Sequence, residues 1–98
     1  MRLLIHPEAE QELDAETFQS AAFHTSLSDF FIGQFERTLL RIVAEPERWQ
    51  KFKGEDRKAY FGRHSRYAIV YSVHTDVIYI KAVMHLQRRP LFYWVTRD

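Results

Sequence analysis

Ninety-eight residues, 46% of them hydrophobic and 15% aromatic, suit one domain with one modest core and no second domain beside it. Cysteine is absent, which excludes a disulfide scaffold and any thiolate metal site and fits a reducing cytoplasm. The net charge of +1 hides an imbalance: residues 1–49 carry four Lys/Arg against nine Asp/Glu, whereas residues 50–98 carry ten against four. A basic second half suits a polyanionic or acidic partner, or an attraction between the two halves of the fold.

Residues 2–6 (R-L-L-I-H) read as a short strand, stopped by Pro7. That apolar stretch is too short for a signal peptide, and no run in the chain approaches the ~20 apolar residues of a membrane span. A cytoplasmic location without membrane contact is therefore expected. Pro7 suits the first turn of a helix, and the acids that follow favour the positive end of its dipole, so a helix is expected from Pro7 to about Phe23. Residues 24–28 (H-T-S-L-S) break it, and Ser26 with Asp29 resembles a capping box.

A second helix is expected to run to about Glu45, ended by Pro46. Phe31, Phe35, Leu39 and Ile42 form its core stripe, widened by Leu27, Ile32 and Val43. The short break makes the pair an antiparallel hairpin. Beyond Pro46 the period changes. Lys58 to Arg63 reads as a strand with Gly62 at its end, and Arg66 to His74 as a strand rich in β-branched and aromatic residues. His74-Thr75-Asp76 turns the chain into a further strand, Val77–Met84. The order β-α-α-β-β-β indicates an α+β fold: an N-terminal strand and an antiparallel helical hairpin packed on a mainly antiparallel β-sheet.

After the last strand comes H-L-Q-R-R-P-L-F-Y-W-V-T-R-D, from His85 to Asp98. Arginines interleaved with aromatics can grip phosphates and stack on bases, and the same composition suits a protein interface. The basic residues fall in three places: Lys51, Lys53, Arg57 and Lys58; Arg63 and Arg66; Arg88 and Arg89. Brought together, they would form one cationic surface. Metal-free RNA cleavage needs proton transfer at the 2′-hydroxyl and 5′-oxygen and stabilisation of a dianionic phosphorane. His85, Arg88, Arg89, Tyr93, Lys51 and Lys53 are the right chemical types for it.

The bland alternative has His85 capping a strand end and Tyr93 packing with Phe92 and Trp94. The acids of the first helix (Glu8, Glu12, Glu16) read as solvated surface, and Trp49 as a core or loop anchor. The five histidines show no metal-ligand spacing and glycine stands only at 33, 54 and 62, so no metal and no cofactor are expected.

The motifs H-P-E-A-E-Q-E-L-D (His6–Asp14), F-x-x-x-F-E (Phe31–Glu36), I-V-A-E-P-E-R-W (Ile42–Trp49), R-Y-A-I-V-Y (Arg66–Tyr71) and A-V-M-H-L-Q-R-R-P-L-F-Y-W (Ala82–Trp94) occur in this order over nearly the whole chain. Together they resemble the RelE/ParE superfamily of type II toxin–antitoxin toxins, as a single domain spanning residues 1–98. The resemblance implies a helical hairpin on an antiparallel sheet. It also implies a bacterial growth inhibitor held inactive by a cognate antitoxin, in a toxin–antitoxin hetero-oligomer.

RelE-like members cut mRNA in the ribosomal A site, whereas ParE-like members inhibit DNA gyrase. Lys51 and Lys53 match the basic pair of the nucleases, Arg88 or Arg89 their arginine beyond the last strand, and Tyr93 their tail tyrosine. Where those nucleases commonly carry an arginine, this chain has Ala68. The tail is more similar to the ParE-like, plasmid-stabilisation branch. Gyrase inhibition by protein contact is thus the leading expectation. A ribosome-dependent endoribonuclease is the alternative, and a degenerate member that only binds antitoxin is a third.

Overall fold

In the computed structural model, which describes residues 1–87 and 93–97, a first strand, β1 (Arg2–Ile5), leads directly into a helix, α1 (Pro7–Phe23). The switch is made at His6, whose ring Nδ1 accepts the Glu8 backbone N–H at 3.0 Å. That contact satisfies one of the helix's orphan donors, and Pro7 at the first helical position has no donor to lose.

His24 repeats the device. It is the one residue between α1 and α2 (Thr25–Ala44); its backbone is extended, its N–H reaches Ser20 O at 3.1 Å, and its Nδ1 accepts the Ser26 N–H at 3.1 Å. The expected five-residue break is therefore a single residue, and the expected Ser26–Asp29 capping box is replaced by a histidine cap. An imidazole nitrogen reaches an N–H two residues on as a Ser or Asp oxygen would.

Four further strands follow: β2 (Lys51–Lys53), β3 (Asp56–Tyr60), β4 (Tyr67–His74) and β5 (Val77–His85). They form a five-stranded sheet in the order β1-β5-β4-β3-β2. Its pairs are antiparallel except for β1, which lies parallel to β5 at one edge with Leu4 opposite Tyr79. The fold is thus α+β with a mixed sheet.

β2 was not expected from its sequence, and β3 starts and ends earlier than the Lys58–Arg63 reading. Lys-Phe-Lys holds too little apolar alternation to announce a strand. What creates the β2–β3 hairpin is Gly54, whose φ of +58° is a left-handed conformation that side chains with a Cβ resist. In β5 the register slips between Val70 and Tyr71, which pair with Ala82 and Ile80, so Lys81 is the extra residue of a bulge. The slip lets Val83 face the helices alongside Ile78 and Ile80, although its position has the opposite parity.

Both faces of the sheet are covered. The helices bury Phe31, Phe35 and Ile42 of α2 and Ala9 of α1 against Ile69, Tyr71, Ile78, Ile80 and Val83. Leu39 and Ile32 pack at the margin, but Leu27 and Val43, expected to widen this stripe, are 49% and 48% exposed. The opposite face carries Ala68, Val70, Ala82 and Met84, covered by Trp94 with Phe52, Leu86 and Tyr93 around it. Among the described residues no helix is long and apolar enough to cross a membrane.

Tyr71 ties the sheet to the loop after α2. Its hydroxyl donates to Pro46 O at 2.7 Å, its ring meets Trp49 edge-on, and the residue is fully buried. Trp49 is accordingly a loop anchor. Burial pushes the phenol up from 10 to about 12, against a smaller opposing effect of Arg57. In the unfolded chain the phenol ionises first as pH rises, so this stability is complete below pH 10 and drains away between pH 10 and about 12. Two pH units correspond to roughly 3 kcal/mol. Denaturant titrations at pH 9 and 11.5 are expected to show a smaller alkaline loss in Tyr71→Phe than in the parent, and equal losses would disprove the assignment.

Candidate functional site

A concavity lies where the tip of the helical hairpin faces the loop between β3 and β4. It is an open groove of about 660 Å³. Two backbone contacts close the neck of that loop, Phe61 N–H to Tyr67 O at 3.0 Å and Ser65 N–H to Gly62 O at 3.2 Å. The loop holds Arg63, His64 and Arg66 exposed along one wall. The other wall is Phe23, at the end of α1, with Leu27 and Phe30 on the first turns of α2.

Tyr67 is the floor. Its ring meets Phe31 edge-on at 4.9 Å, Phe61 at 5.7 Å and His85 edge-on at 5.0 Å, while its hydroxyl donates to Glu16 Oε2 at 2.7 Å. Glu16 is therefore not the solvated residue expected of the α1 acidic face. His85 stands at the end of β5, half-buried, with Nδ1 accepting the Gln87 backbone N–H at 3.1 Å. An acceptor at Nδ1 requires the neutral ring, protonated at Nε2. His85 thus combines the strand-end role with a place in the groove lining.

Among the described residues, the sequence-predicted cations fall in two places. Arg63 and Arg66 share the groove with His85. Lys51 and Lys53 lie on β2, at the end of β3 away from the β3–β4 loop, and Lys58 in the middle of β3. There Lys51 Nζ pairs with Glu55 at 2.9 Å, and the hydrogen bond and charge of Lys51 hold the exposed Glu55 carboxyl below its usual range. Lys58 Nζ sits 4.6 Å over the Phe52 ring and 5.8 Å from that of Tyr60. Arg57 points to the helix side, donating to Glu47 O at 3.1 Å and Trp49 O at 2.6 Å, and so pins the loop after α2. Arg88 and Arg89 lie outside the described residues, as does Phe92.

Tyr93 belongs to the cover of the opposite sheet face. Its ring stands edge-on to Trp94 at 5.4 Å, and the Arg97 guanidinium lies 5.0 Å over it. Trp94 is fully buried, with its indole N–H donating to Asp56 Oδ2 at 3.1 Å; Lys81 Nζ reaches the same carboxylate at 3.2 Å. Ala68 is fully buried in this cluster.

No protein-family model and no curated protein matches this chain.

Two features of the structure went unrecognised in the sequence. The first is Glu12, expected at the solvated surface, whose side chain is only 9% exposed. Its carboxylate takes Arg97 Nη1 at 2.8 Å, Arg97 Nη2 at 3.1 Å and the Val83 N–H at 3.1 Å. Burial alone would lower the Arg97 pKa, but the Glu12 hydrogen bonds and charge, helped by Tyr93 and Glu8, outweigh it and raise it. The second is the apolar hairpin tip. Phe23 is 83% exposed and Phe30 60%, an unusual concentration of large apolar groups beside a groove. Phe30 falls off the core stripe of α2, whereas Phe23 continues the face of Ala9 and Leu13 past the end of the sheet contact, so its exposure had no local signal.

Proposed function

We propose that this chain is the toxin of a type II toxin–antitoxin pair of the RelE/ParE kind, restrained by a cognate antitoxin and arresting growth by contact with a protein target, in the manner of gyrase inhibition. The observation that carries the choice of contact over cleavage is the sheet face around Ala68. It holds an apolar cluster under Trp94 and Phe52, and the described basic candidates divide between two places. Phosphorane stabilisation requires several donors converging on one phosphate, and the lysines expected to take part stand apart from Arg63 and Arg66. The helical hairpin packed on one side of the sheet is in keeping with the same superfamily.

One arrangement favours a second reading, RNA cleavage dependent on the ribosome. His85, Arg63 and Arg66 meet at one groove, a proton-transfer group beside two cations. Expression without antitoxin is expected to arrest growth. In cell-free translation, transcripts mapped by primer extension are expected to stay intact while DNA supercoiling by purified gyrase is inhibited. Ribosome-dependent cuts within codons, lost in His85→Ala or Arg89→Ala, would overturn inhibition by contact in favour of cleavage. Normal growth with both assays silent would leave only a degenerate antitoxin-binding member.

A further inference from the structure

We infer that the open edge of β1 pairs antiparallel with β1 of a second copy of this chain, joining two five-stranded sheets across a two-fold axis at Leu4. This self-association goes beyond the proposed function and does not depend on it.

The main chain supplies the first part of the argument. β1 ends the sheet, with β5 on its inner side and, among the described residues, no strand on its outer side. Arg2 N–H donates to Asp76 O at 2.7 Å and His6 N–H to Ile80 O at 2.9 Å, so Arg2, Leu4 and His6 turn their backbone groups inward. Leu3 and Ile5, in the alternate phase, turn N–H and C=O outward.

The rest of the sheet margin is guarded. β2, the other edge, is three residues long and two of them are lysines, a common protection against edge pairing. The stretch of β5 beyond Ile80 is closed by Glu12 and Arg97, which bond Val83 N–H and Lys81 O. β1 has neither device. Leu3, Leu4 and Ile5 are 37%, 45% and 38% exposed, and no charge follows Arg2 in the strand.

A second copy is selected because this edge is complementary to itself. Outward-facing residues exchange the hydrogen bonds, so Leu3 pairs with the partner's Ile5 and Ile5 with the partner's Leu3. Leu4 then meets its own counterpart at the narrow, non-hydrogen-bonded position, with Cα atoms roughly 4.5 Å apart. On the helix side, Leu3 and Ile5 stand beside Ile78 and Ile80 and carry that apolar row across the axis. On the other side, Arg2 comes opposite the partner's His6. Glu8 Oε2 lies 4.0 Å from that ring, on a side chain 59% exposed, so each guanidinium has an acid within reach. The next exchanging position sets Met1 against Pro7, which has no N–H, and the ladder ends there. So short an edge makes a small interface, with a dissociation constant on the order of 10–100 µM.

Sedimentation velocity and amide hydrogen exchange of the full chain, from about 5 to 500 µM, test this. A monomer is expected to give way to a dimer and to nothing larger, since a two-fold contact closes on itself. At the high concentration the Leu3 and Ile5 amides should gain at least about tenfold protection, whereas Leu4, already bonded to β5, should change much less. Leu4→Lys, which sets two like charges at the axis, is expected to keep the chain monomeric throughout, with an unchanged circular dichroism spectrum verifying the fold. Should that variant unfold, Arg2→Glu, which sets acid against Glu8, is expected to weaken the dimer at least about threefold. A monomer at every concentration would overturn the inference. So would a dimer that leaves Leu3 and Ile5 unprotected, one that survives both substitutions in folded protein, or association that continues past two copies.

Discussion

Trp94→Ala is expected to lower folding stability by about 4 kcal/mol, within the usual range for deleting a fully buried tryptophan. The indole fills the sheet face over Ala68, Val70, Ala82 and Met84, and its ring lies 5.5 Å from that of Phe52. Its removal leaves a cavity that the short side chains of Ala68 and Ala82 cannot collapse into. It also removes one of the donors to Asp56, a carboxylate only 6% exposed. For a domain of this size, with stability of roughly 5–15 kcal/mol, such a loss takes a large part of the whole. The urea midpoint should fall by about 3 M if the slope is near 1.3 kcal/mol/M. Trp94→Phe, which keeps most of the packing and loses the N–H, should cost clearly less. If alanine and phenylalanine cost the same, the hydrogen bond to Asp56 dominates and the packing argument fails.

The same residue bears on function. If the chain acts by contact as proposed, a folded Trp94→Phe variant is expected to leave transcripts as intact as the parent does. The apolar cover is therefore both a stabilising element and the main reason for preferring contact to cleavage.

What the sequence reveals here depends on how local the determining interaction is. The helices were legible because Pro7 and Pro46 bound them and Phe31, Phe35 and Ile42 recur at helical spacing between the prolines. β4 and β5 were legible from their β-branched and aromatic runs. β2 was not, since three residues with one apolar side chain gain strand geometry only through the Gly54 turn and pairing with β3. The turn at His24 was misread because a histidine cap lacks the usual Ser or Asp signature.

The site divides in the same way. His85 was singled out by its chemical type among the arginines and aromatics after the last strand, and it lines one groove with Arg63 and Arg66. The role of Trp94 depends on Asp56, 38 residues away, and that of Glu12 on Arg97, 85 residues away. Contacts of such separation leave no periodic trace. Glu12 looked like one more acid on a charged helix, and Leu27 like one more core residue, until the sheet was in place.

The Glu12–Arg97 pair gives the second large expectation. β1 covers β5 only as far as Ile80, where the His6 N–H reaches Ile80 O at 2.9 Å. Beyond that point the edge of β5 would present unpaired groups, and this pair seals it: Glu12 accepts the Val83 N–H while Arg97 donates to Lys81 O at 3.0 Å. Arg97→Ala is expected to cost about 3–5 kcal/mol, because it strands a buried carboxylate and frees a carbonyl together. Adding Glu12→Gln to Arg97→Ala should restore roughly 1–2 kcal/mol, since the amide oxygen still accepts from Val83 while the uncompensated charge is gone. Chemical denaturation of the parent, the two single variants and the double variant completes the cycle, and additive effects would rule out direct coupling. Salt separates this pair from the surface one: the cost of Arg97→Ala should be nearly the same at 0.05 and 0.5 M NaCl, because a side chain 5% exposed is poorly screened, whereas the small effect of Lys51→Ala, at 47% exposure, should fade. A cost for Arg97→Ala that vanished in high salt would place the pair in solvent and leave the β5 edge open.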